Sequence, residues 1–304
     1  MVIALYFVVT RIVEMRGDID FSVLASVWVL LPLLLIVLAE SVAVLFTSDN
    51  FRKIVESLSG VKISKPVGIR AYNNANIYKY IPGGVMLVIG RNQMAIETDG
   101  LGHTKVALGT VVEGVLWVVA ALVLSSVFAL DYVLHYVRLI EFEYLGFILG
   151  AAVLLLLLVI FILYRFRHKI FSDTIDIESD AKGLRMTALL KRFPVMLLIV
   201  CFWGFSFMTT VAVLGQPMTI SLGITIAGLY IMSWVIGFLT PGAPGGLGIR
   251  ELVLLMFLGA TIYEGLLLSA IVIHRAIQVL GDVVAFGIAA GYAKFSQNAK
   301  NTEE

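Results

Sequence analysis

Hydrophobic residues in this sequence are grouped into long runs rather than spread at short, regular intervals. A helix needs about 20 apolar residues to cross the roughly 30 Å hydrocarbon core of a bilayer, and several runs reach that length without charges in their centres. The clearest runs are residues 24–47, 106–130, 145–164, 193–213, 219–240 and 265–290. They are continuous in Leu, Val and Ile and do not alternate apolar with polar residues, which favours helices over a membrane barrel. The pattern predicts an all-α, polytopic transmembrane helical bundle.

Composition places the whole chain, residues 1–304, in one integral membrane domain. The chain is 60% hydrophobic and 14% charged, with a mean hydropathy of +0.99, which is more apolar surface than one soluble core can bury. The longest polar stretches, 48–80 and 165–192, are shorter than the roughly 40 residues below which domains seldom fold alone. We interpret the opening run before Arg11 as a short first span rather than a signal peptide, because its charges follow the apolar residues. The predicted number of spans is six to nine.

Lysine and arginine are concentrated in the two polar stretches, whereas the loops between them are poor in basic residues. By the positive-inside rule, 48–80 and 165–192 are cytoplasmic basic loops, and the C-terminal tail with Lys294 and Lys300 lies on the same side. We therefore predict a multi-pass protein of the plasma (inner) membrane with a cytoplasmic C-terminus. A net charge of +1 gives no indication of a nucleic-acid partner.

Motifs of catalysis and cofactor binding are missing from the sequence. It contains no Walker, GxSxG or HExxH pattern, and the four histidines have no metal-ligand spacing. The single cysteine, Cys201, lies inside an apolar run and reads as a small buried hydrophobe. We predict no cofactor, no metal and no enzymatic activity, with an intramembrane enzyme acting on a lipid phosphate as a remaining alternative.

Two Pro-Gly-Gly elements interrupt apolar surroundings. The first is Pro82, Gly83 and Gly84 within YIPGGVMLVIGR, and the second is Pro244, Gly245 and Gly246 within PGAPGGLGIRE. Proline lacks the backbone donor and glycine has no helical preference, so each element predicts a broken or re-entrant segment. Breaks at membrane depth are tolerated only where protein or a water-filled cavity satisfies the freed backbone groups.

The second break is followed by charges. A new helix is predicted to begin near Leu247, with Gly248, Arg250 and Glu251 in its first turns. Free amides at a helix start favour an anionic group, and a guanidinium adds a forked donor suited to phosphate. The segment therefore predicts a binding site for an anionic or phosphorylated group.

The two breaks are related by spacing. Pro82 precedes Glu113 by 31 residues, and Pro244 precedes Arg275 by the same 31. Equal spacing suggests an internal duplication with repeat units 80–130 and 242–292, as in transporters whose sites lie between repeats. Whether the repeats are parallel or inverted stays open.

Isolated charges inside apolar helices are costly and are expected to have partners. Glu113 and Arg275 line a substrate path, pair as a gate, or form a structural salt bridge between two helices, and Asp282 is an alternative partner for Arg275. Arg91 lies in a less apolar stretch, where a snorkelling position at the interface is predicted. Three tryptophans inside the spans are predicted to be packing residues: Trp117, Trp203 and Trp234.

The PGGLGIRE sequence, the earlier YIPGG followed by Gly90 and Arg91, and the HRAIQVLGD segment at 274–282 carry a family resemblance. Together they resemble the lysylphosphatidylglycerol synthase transmembrane-region family, a flippase-like membrane domain. The similarity runs from the second span to about residue 291. The resemblance implies a site built from these matching positions: Pro82, Gly83, Gly84, Arg91, Glu113, Pro244, Gly245, Gly246, Gly248, Arg250, Glu251 and Arg275.

The resemblance implies movement or presentation of a modified phospholipid. Full synthases add a soluble C-terminal domain that transfers lysine from tRNA, and this chain stops at Glu304 without one, so we expect aminoacyl transfer to be absent. Our hypothesis is a flippase or transporter of a phospholipid or lipid-linked intermediate. Its partners would be membrane lipids with an anionic or phosphorylated headgroup, contacted by Arg250 and Arg275. The alternative is a non-transporting membrane partner of a lipid-modifying enzyme or glycosyltransferase, held through the basic loop 165–192.

Overall fold

The computed structural model describes residues 26–80, 85–139, 191–240, 244–246 and 248–303. In these ranges the chain is almost entirely helical, and no strand occurs in them. The helices are α1 (Val27–Ser59), α2 (Lys65–Ile77), α3 (Val85–Arg91), α4 (Gln93–Ile96), α5 (His103–Leu139), α6 (Phe193–Val213), α7 (Ile220–Leu239), α8 (Ile249–Leu258) and α9 (Glu264–Glu303). Two 3₁₀ turns, Tyr78–Tyr80 and Pro244–Gly246, follow α2 and precede α8.

Five of the described helices are long and apolar enough to cross a membrane. The candidate spans are Val27–Ser59, His103–Ala129, Phe193–Val213, Ile220–Leu239 and Glu264–Asn298. They confirm an all-α, multi-pass helical bundle, and each one overlaps an apolar run of the sequence. The predicted spans at the N-terminus and at 145–164 lie outside the described residues.

The stretch 48–80 differs from the predicted loop. Helix α1 continues to Ser59, where Gly60 ends it with a positive φ of 71°, and α2 follows after four more residues. Charged residues near the end of α1 pair along one face of the helix. Arg52 contacts Asp49 and Glu56, each at 2.8 Å. Pairs at i,i+3 and i,i+4 stabilise a helix, so a high content of charged residues does not by itself indicate a loop. The stretch 48–80 is therefore largely helical, and its cytoplasmic side stays a prediction. Most of the second basic stretch, 165–192, lies outside the described residues.

Both Pro-Gly-Gly elements separate helices. Helix α7 ends at Leu239 and α8 begins at Ile249, while α2 and its turn end at Tyr80 and α3 begins at Val85. At a rise of about 1.5 Å per residue, neither the seven residues of α3 nor the ten of α8 can cross a bilayer. The prediction of a broken segment is therefore confirmed at the second element, whereas residues 81–84 of the first lie outside the described residues. The first element is followed by the short helices α3 and α4 and then by α5, and the second by the short helix α8 and then by α9.

Close helix packing positions the breaks relative to the spans. Helix α9 lies against α1 and α2, and α7 lies against α5 and α6. A Cβ on Gly281 of α9 would come within 2.8 Å of the Glu40 Cβ on α1, so these two spans touch nearly backbone to backbone. The outer faces expose large apolar side chains, such as Trp28 at 87% and Ile220 at 86%, as expected for surfaces that contact lipid.

Candidate functional site

The two breaks meet in space. The turn Tyr78–Tyr80 contacts the turn Pro244–Gly246, although about 165 residues separate them in the chain. Next to this contact lies a cavity of about 380 Å³. Its walls come from α1, α2, α3, α5, α6, α7, α8 and α9, so residues from both halves of the described chain enclose it.

The second break supplies a backbone that only glycine adopts easily. Gly245 and Gly246 have φ values of 60° and 73°, in the left-handed region that strains residues carrying a Cβ. Gly246 also makes room for Arg250, because a Cβ there would lie 2.6 Å from the Arg250 Cδ. On the other side, a Cβ on Gly237 of α7 would lie 2.4 Å from the Arg250 Cγ. The aliphatic stem of Arg250 therefore occupies a slot between two glycines.

Two arginines converge on one carbonyl oxygen at this break. Arg250 Nη1 donates to the Gly245 oxygen at 3.4 Å, and Arg275 Nη1 donates to the same oxygen at 3.3 Å. Arg250 Nη2 also donates to the Tyr230 hydroxyl at 3.3 Å, and its guanidinium lies 5.5 Å from the Tyr230 ring centre. Both arginines line the cavity, so two forked donors are held side by side at its wall.

Glu251 connects the start of α8 to α9. One carboxylate oxygen accepts the Gly248 backbone N–H at 2.7 Å, and the other accepts Arg275 Nε at 2.6 Å. The first bond caps one amide at the start of α8 with the helix's own side chain, so that amide is not free for an anion. The second bond assigns Glu251, and not Asp282, as the carboxylate partner of Arg275.

The first half contains a deeply buried counterpart. Arg91 Nη1 donates to Glu113 Oε2 at 2.7 Å, and the Tyr72 hydroxyl donates to Glu113 Oε1 at 3.3 Å. The Arg91 guanidinium packs against the Phe51 and Tyr72 rings, 4.4 and 4.5 Å from their centres, and the two ring centres are 5.4 Å from each other. At 6% exposure Arg91 does not snorkel, and that prediction is corrected. A carboxylate partner and two aromatic faces compensate for its loss of water.

Burial, together with the adjacent Glu113 carboxylate, raises the pKa of the Tyr72 phenol far above its ordinary value. Tyr72 belongs to α2, which is not one of the candidate spans. Its hydroxyl therefore keeps its proton and remains a hydrogen-bond donor to Glu113.

Glu113 and Arg275 do not pair with each other. Each one pairs with the short helix that follows its own break, Glu113 with Arg91 and Arg275 with Glu251. The predicted direct gate between Glu113 and Arg275 is thus corrected, while both side chains do line the cavity.

Asp282 belongs to a separate polar cluster at the cavity wall. Its carboxylate accepts Lys79 Nζ and Asn76 Nδ2, both at 2.7 Å. Glu40 of α1 also lines the cavity and is 3% exposed. Glu40 lies inside the run 24–47, which the hydrophobicity pattern treats as uncharged in its centre. Sequence reasoning missed it, although a single carboxylate within an apolar run is itself a signal of function.

A row of aromatic rings forms another part of the cavity wall. Trp117 stacks on Trp203 with centres 5.0 Å apart, Trp203 is 5.8 Å from Trp234, and Trp234 stacks on Phe238 at 5.0 Å. All four side chains line the cavity. The tryptophans were predicted to be packing residues, and the structure adds that their row faces the open space.

Several predicted site residues are described only in part. Pro82, Gly83 and Gly84 lie outside the described residues, and Pro244 opens the second turn. Gly248 has a φ of 84° and precedes α8. Among the residues that the structure describes, no three side chains of His, Cys, Asp or Glu are arranged to hold a metal ion.

Fold and cavity together define a class: a multi-pass α-helical membrane protein with a charged and aromatic cavity between two helix breaks. No protein-family model matches the chain, and no curated protein matches it.

Proposed function

We propose that this protein binds the anionic, phosphorylated headgroup of a lipid or lipid-linked intermediate in the cavity and moves it across the membrane. The observation that carries the proposal is the composition of the cavity wall. Four cationic side chains line it, Lys79, Arg91, Arg250 and Arg275, together with a row of aromatic rings. A cavity of about 380 Å³ falls in the usual range for small-molecule sites.

Arg250 and Arg275 are the proposed phosphate contacts. Arg91 is buried against two rings and pairs with Glu113, whereas the Arg275 side chain is 24% exposed and converges with Arg250 on the Gly245 oxygen. Bidentate donors of this kind suit phosphate oxygens. Glu251 holds Arg275 in the empty site, and a phosphate would compete with that carboxylate for the guanidinium.

The aromatic row is the proposed path of the apolar part of the ligand. Trp203 lies at the centre of the span Phe193–Val213, so the row sits well inside the bundle. Acyl or isoprenoid chains would remain in the bilayer beside it. Movement would need no ATP hydrolysis by this chain, in agreement with the absence of a nucleotide-binding motif from its sequence.

The resemblance to the lysylphosphatidylglycerol synthase membrane domain supports the same substrate class. Residence in the plasma (inner) membrane with a cytoplasmic C-terminus is part of the proposal and rests on the distribution of basic residues.

The test is translocation of headgroup-labelled lipid in vesicles that contain the wild type, Arg250→Gln or Arg275→Gln, with a phospholipid and a polyprenyl phosphate as probes. Gel filtration checks the fold of each variant. The matched control is Lys62→Gln, an exposed cation between α1 and α2 that does not line the cavity. Inorganic phosphate, added as a competitor, distinguishes recognition of phosphate alone from recognition of the lipid.

Loss of translocation in both arginine variants but not in the control would support the proposal. Translocation by the wild type no faster than in empty vesicles, for both probes, would contradict it. Co-purification of a stoichiometric lipid-modifying enzyme in that case would favour the accessory-partner hypothesis.

A further inference from the structure

Glu40 is a buried carboxylate that faces the cavity. It lies on α1, is 3% exposed and accepts a hydrogen bond from the Ser206 hydroxyl of α6 at 3.3 Å. Within the described residues, no lysine or arginine forms an ion pair with it at 4.0 Å or less. It therefore differs from Glu113, Glu251 and Asp282, each of which contacts a cation.

The surroundings of Glu40 add both signs of charge at greater distance. Helix α6 contributes Ser206 and Trp203, which do not titrate, and His274 of α9 bonds instead to Thr210 at 3.1 Å. The titratable or charged side chains that line the same cavity are Asp282 and Arg275 on α9, Lys79 after α2, Tyr72 on α2, Glu113 on α5, Arg91 on α3 and Arg250 on α8. Tyr230, Glu251 and His274 line a smaller neighbouring pocket together with the two arginines Arg250 and Arg275.

A carboxylate removed from water without a paired cation is unstable in its charged form, and binding a proton relieves that cost. We infer that Glu40 is a proton-binding site whose occupancy couples proton movement to movement of the anionic headgroup. The inference rests on the proposed transport function and adds a driving force to it. The cavity gives the carboxylate a route to water, which a proton site of this kind needs.

Charge balance explains the coupling. The headgroup brings negative charge into a cavity that already contains the carboxylates of Glu40, Glu113 and Asp282. A proton on Glu40 removes one of these charges, so the protonated cavity binds the anion more tightly than the deprotonated one. By linkage, the bound anion favours protonation of Glu40 to the same degree. Proton and headgroup would then cross in the same direction.

Helix α9 connects the proton site to the proposed phosphate site. It carries Arg275, and one and a half turns later it carries Gly281, whose Cα lies so close to Glu40 that a Cβ would be 2.8 Å from the Glu40 Cβ. A change of charge at Glu40 therefore acts directly on the helix that holds Arg275.

The first experiment measures the proton site without transport. Infrared difference spectra of the purified protein between about pH 5 and about pH 9 report protonated carboxyl groups, in the range where buried glutamates titrate. Glu40→Gln keeps the shape and the Ser206 contact but cannot bind the proton. The matched control is Glu264→Gln, a half-buried glutamate at the start of α9 outside the cavity. We expect a protonated carboxyl band in the wild type and the control that is lost in Glu40→Gln.

The second experiment measures coupling. Labelled-lipid translocation in vesicles is compared with and without a pH gradient for the wild type, Glu40→Gln and Glu264→Gln. We expect the gradient to change the rate for the wild type and the control, and to leave the rate of Glu40→Gln unchanged.

The outcomes separate the two proposals. A band that persists in Glu40→Gln, or a wild-type band that is absent, overturns the proton site whatever the transport result. Translocation that ignores the pH gradient, or that follows a sodium gradient, overturns proton coupling while leaving the transport function intact. A wild type that translocates nothing contradicts the proposed function, and coupling with it, while the infrared result still decides protonation of Glu40.

Discussion

Each of the two breaks is followed by an ion pair, and the two pairs have opposite polarity. After the first break the short helix supplies the arginine and the long helix the glutamate, Arg91 with Glu113. After the second break the short helix supplies the glutamate and the long helix the arginine, Glu251 with Arg275. The arrangement along the chain is the same in both halves, while the charges are exchanged.

The pairs also differ in burial. The side chains of Arg91 and Glu113 are 7% and 3% exposed, and the guanidinium packs against two aromatic rings. The Arg275 side chain is 24% exposed, and Arg275 shares the Gly245 carbonyl with Arg250. The first pair thus joins α3 to α5 in buried surroundings, whereas the second leaves the Arg275 guanidinium partly exposed, where our proposal has it contact a ligand. Similar sequence spacing has therefore produced one buried ion pair and one partly exposed ion pair.

Glu113→Gln should have the largest effect on stability. It leaves the Arg91 charge buried without its counterion, which costs about 3–5 kcal/mol in comparable buried pairs. The free energy of unfolding, measured by denaturing-detergent titration in mixed micelles, should fall by that amount. A loss of unfolding free energy below about 1 kcal/mol would show that the Arg91–Glu113 pair contributes little to stability. The two ion pairs would then not differ in this respect.

Arg275→Gln should have a smaller effect on stability and a larger one on function. Glu251 keeps its bond to the Gly248 amide, so we expect a loss of about 1.5–3 kcal/mol, the range for one charge-assisted hydrogen bond. Lipid translocation by the folded variant should fall roughly tenfold or more if the same interaction is made to phosphate. Unchanged translocation with reduced stability would make the second pair structural as well.

Gly237→Ala tests the Arg250 slot from its α7 side, where a Cβ would also lie 3.2 Å from the Gly246 Cα. The new methyl group would lie 2.4 Å from the Arg250 Cγ, so the arginine must move, at a cost of about 1–3 kcal/mol for overpacking. Gly114→Ala is the matched control on α5, because its Cβ would meet only the Phe238 ring at 3.6 Å, an ordinary contact. We expect reduced translocation in the first variant and wild-type behaviour in the second. Equal rates in both would argue against a defined position for Arg250.

Glu97→Gln should have the smallest effect. Glu97 pairs with Arg70 near α4, where the side chains are 21% and 26% exposed. A partly hydrated pair contributes about 0–1 kcal/mol, so the free energy of unfolding should barely change in the titration used for Glu113→Gln. A loss as large as that of Glu113→Gln would mean that burial does not separate the ion pairs of this protein.

Local sequence was sufficient for the helical class and for the breaks. Apolar runs of spanning length need no knowledge of neighbouring segments, because each helix satisfies its own backbone hydrogen bonds in lipid. Proline and glycine act on the backbone where they stand, so the interruption near Pro244 and the new helix before Arg250 could be predicted from a few residues. The stretch 48–80 was predicted to be a loop because it is rich in charges. Some of those charges lie one helical turn apart and pair along α1, a spacing that is also local in the sequence.

Partner choice was decided only by the tertiary structure. Arg275 had two candidate carboxylates, Glu113 and Asp282, and it pairs with Glu251, which the spacing did not suggest. Arg91 is buried rather than interfacial because Phe51 of α1 and Tyr72 of α2 pack against its guanidinium. The cavity itself depends on contact between turns far apart in the chain. Sequence determines which residues are charged or helix-breaking, whereas the distances between side chains on different helices follow from packing, and those distances set the electrostatic energies of the site.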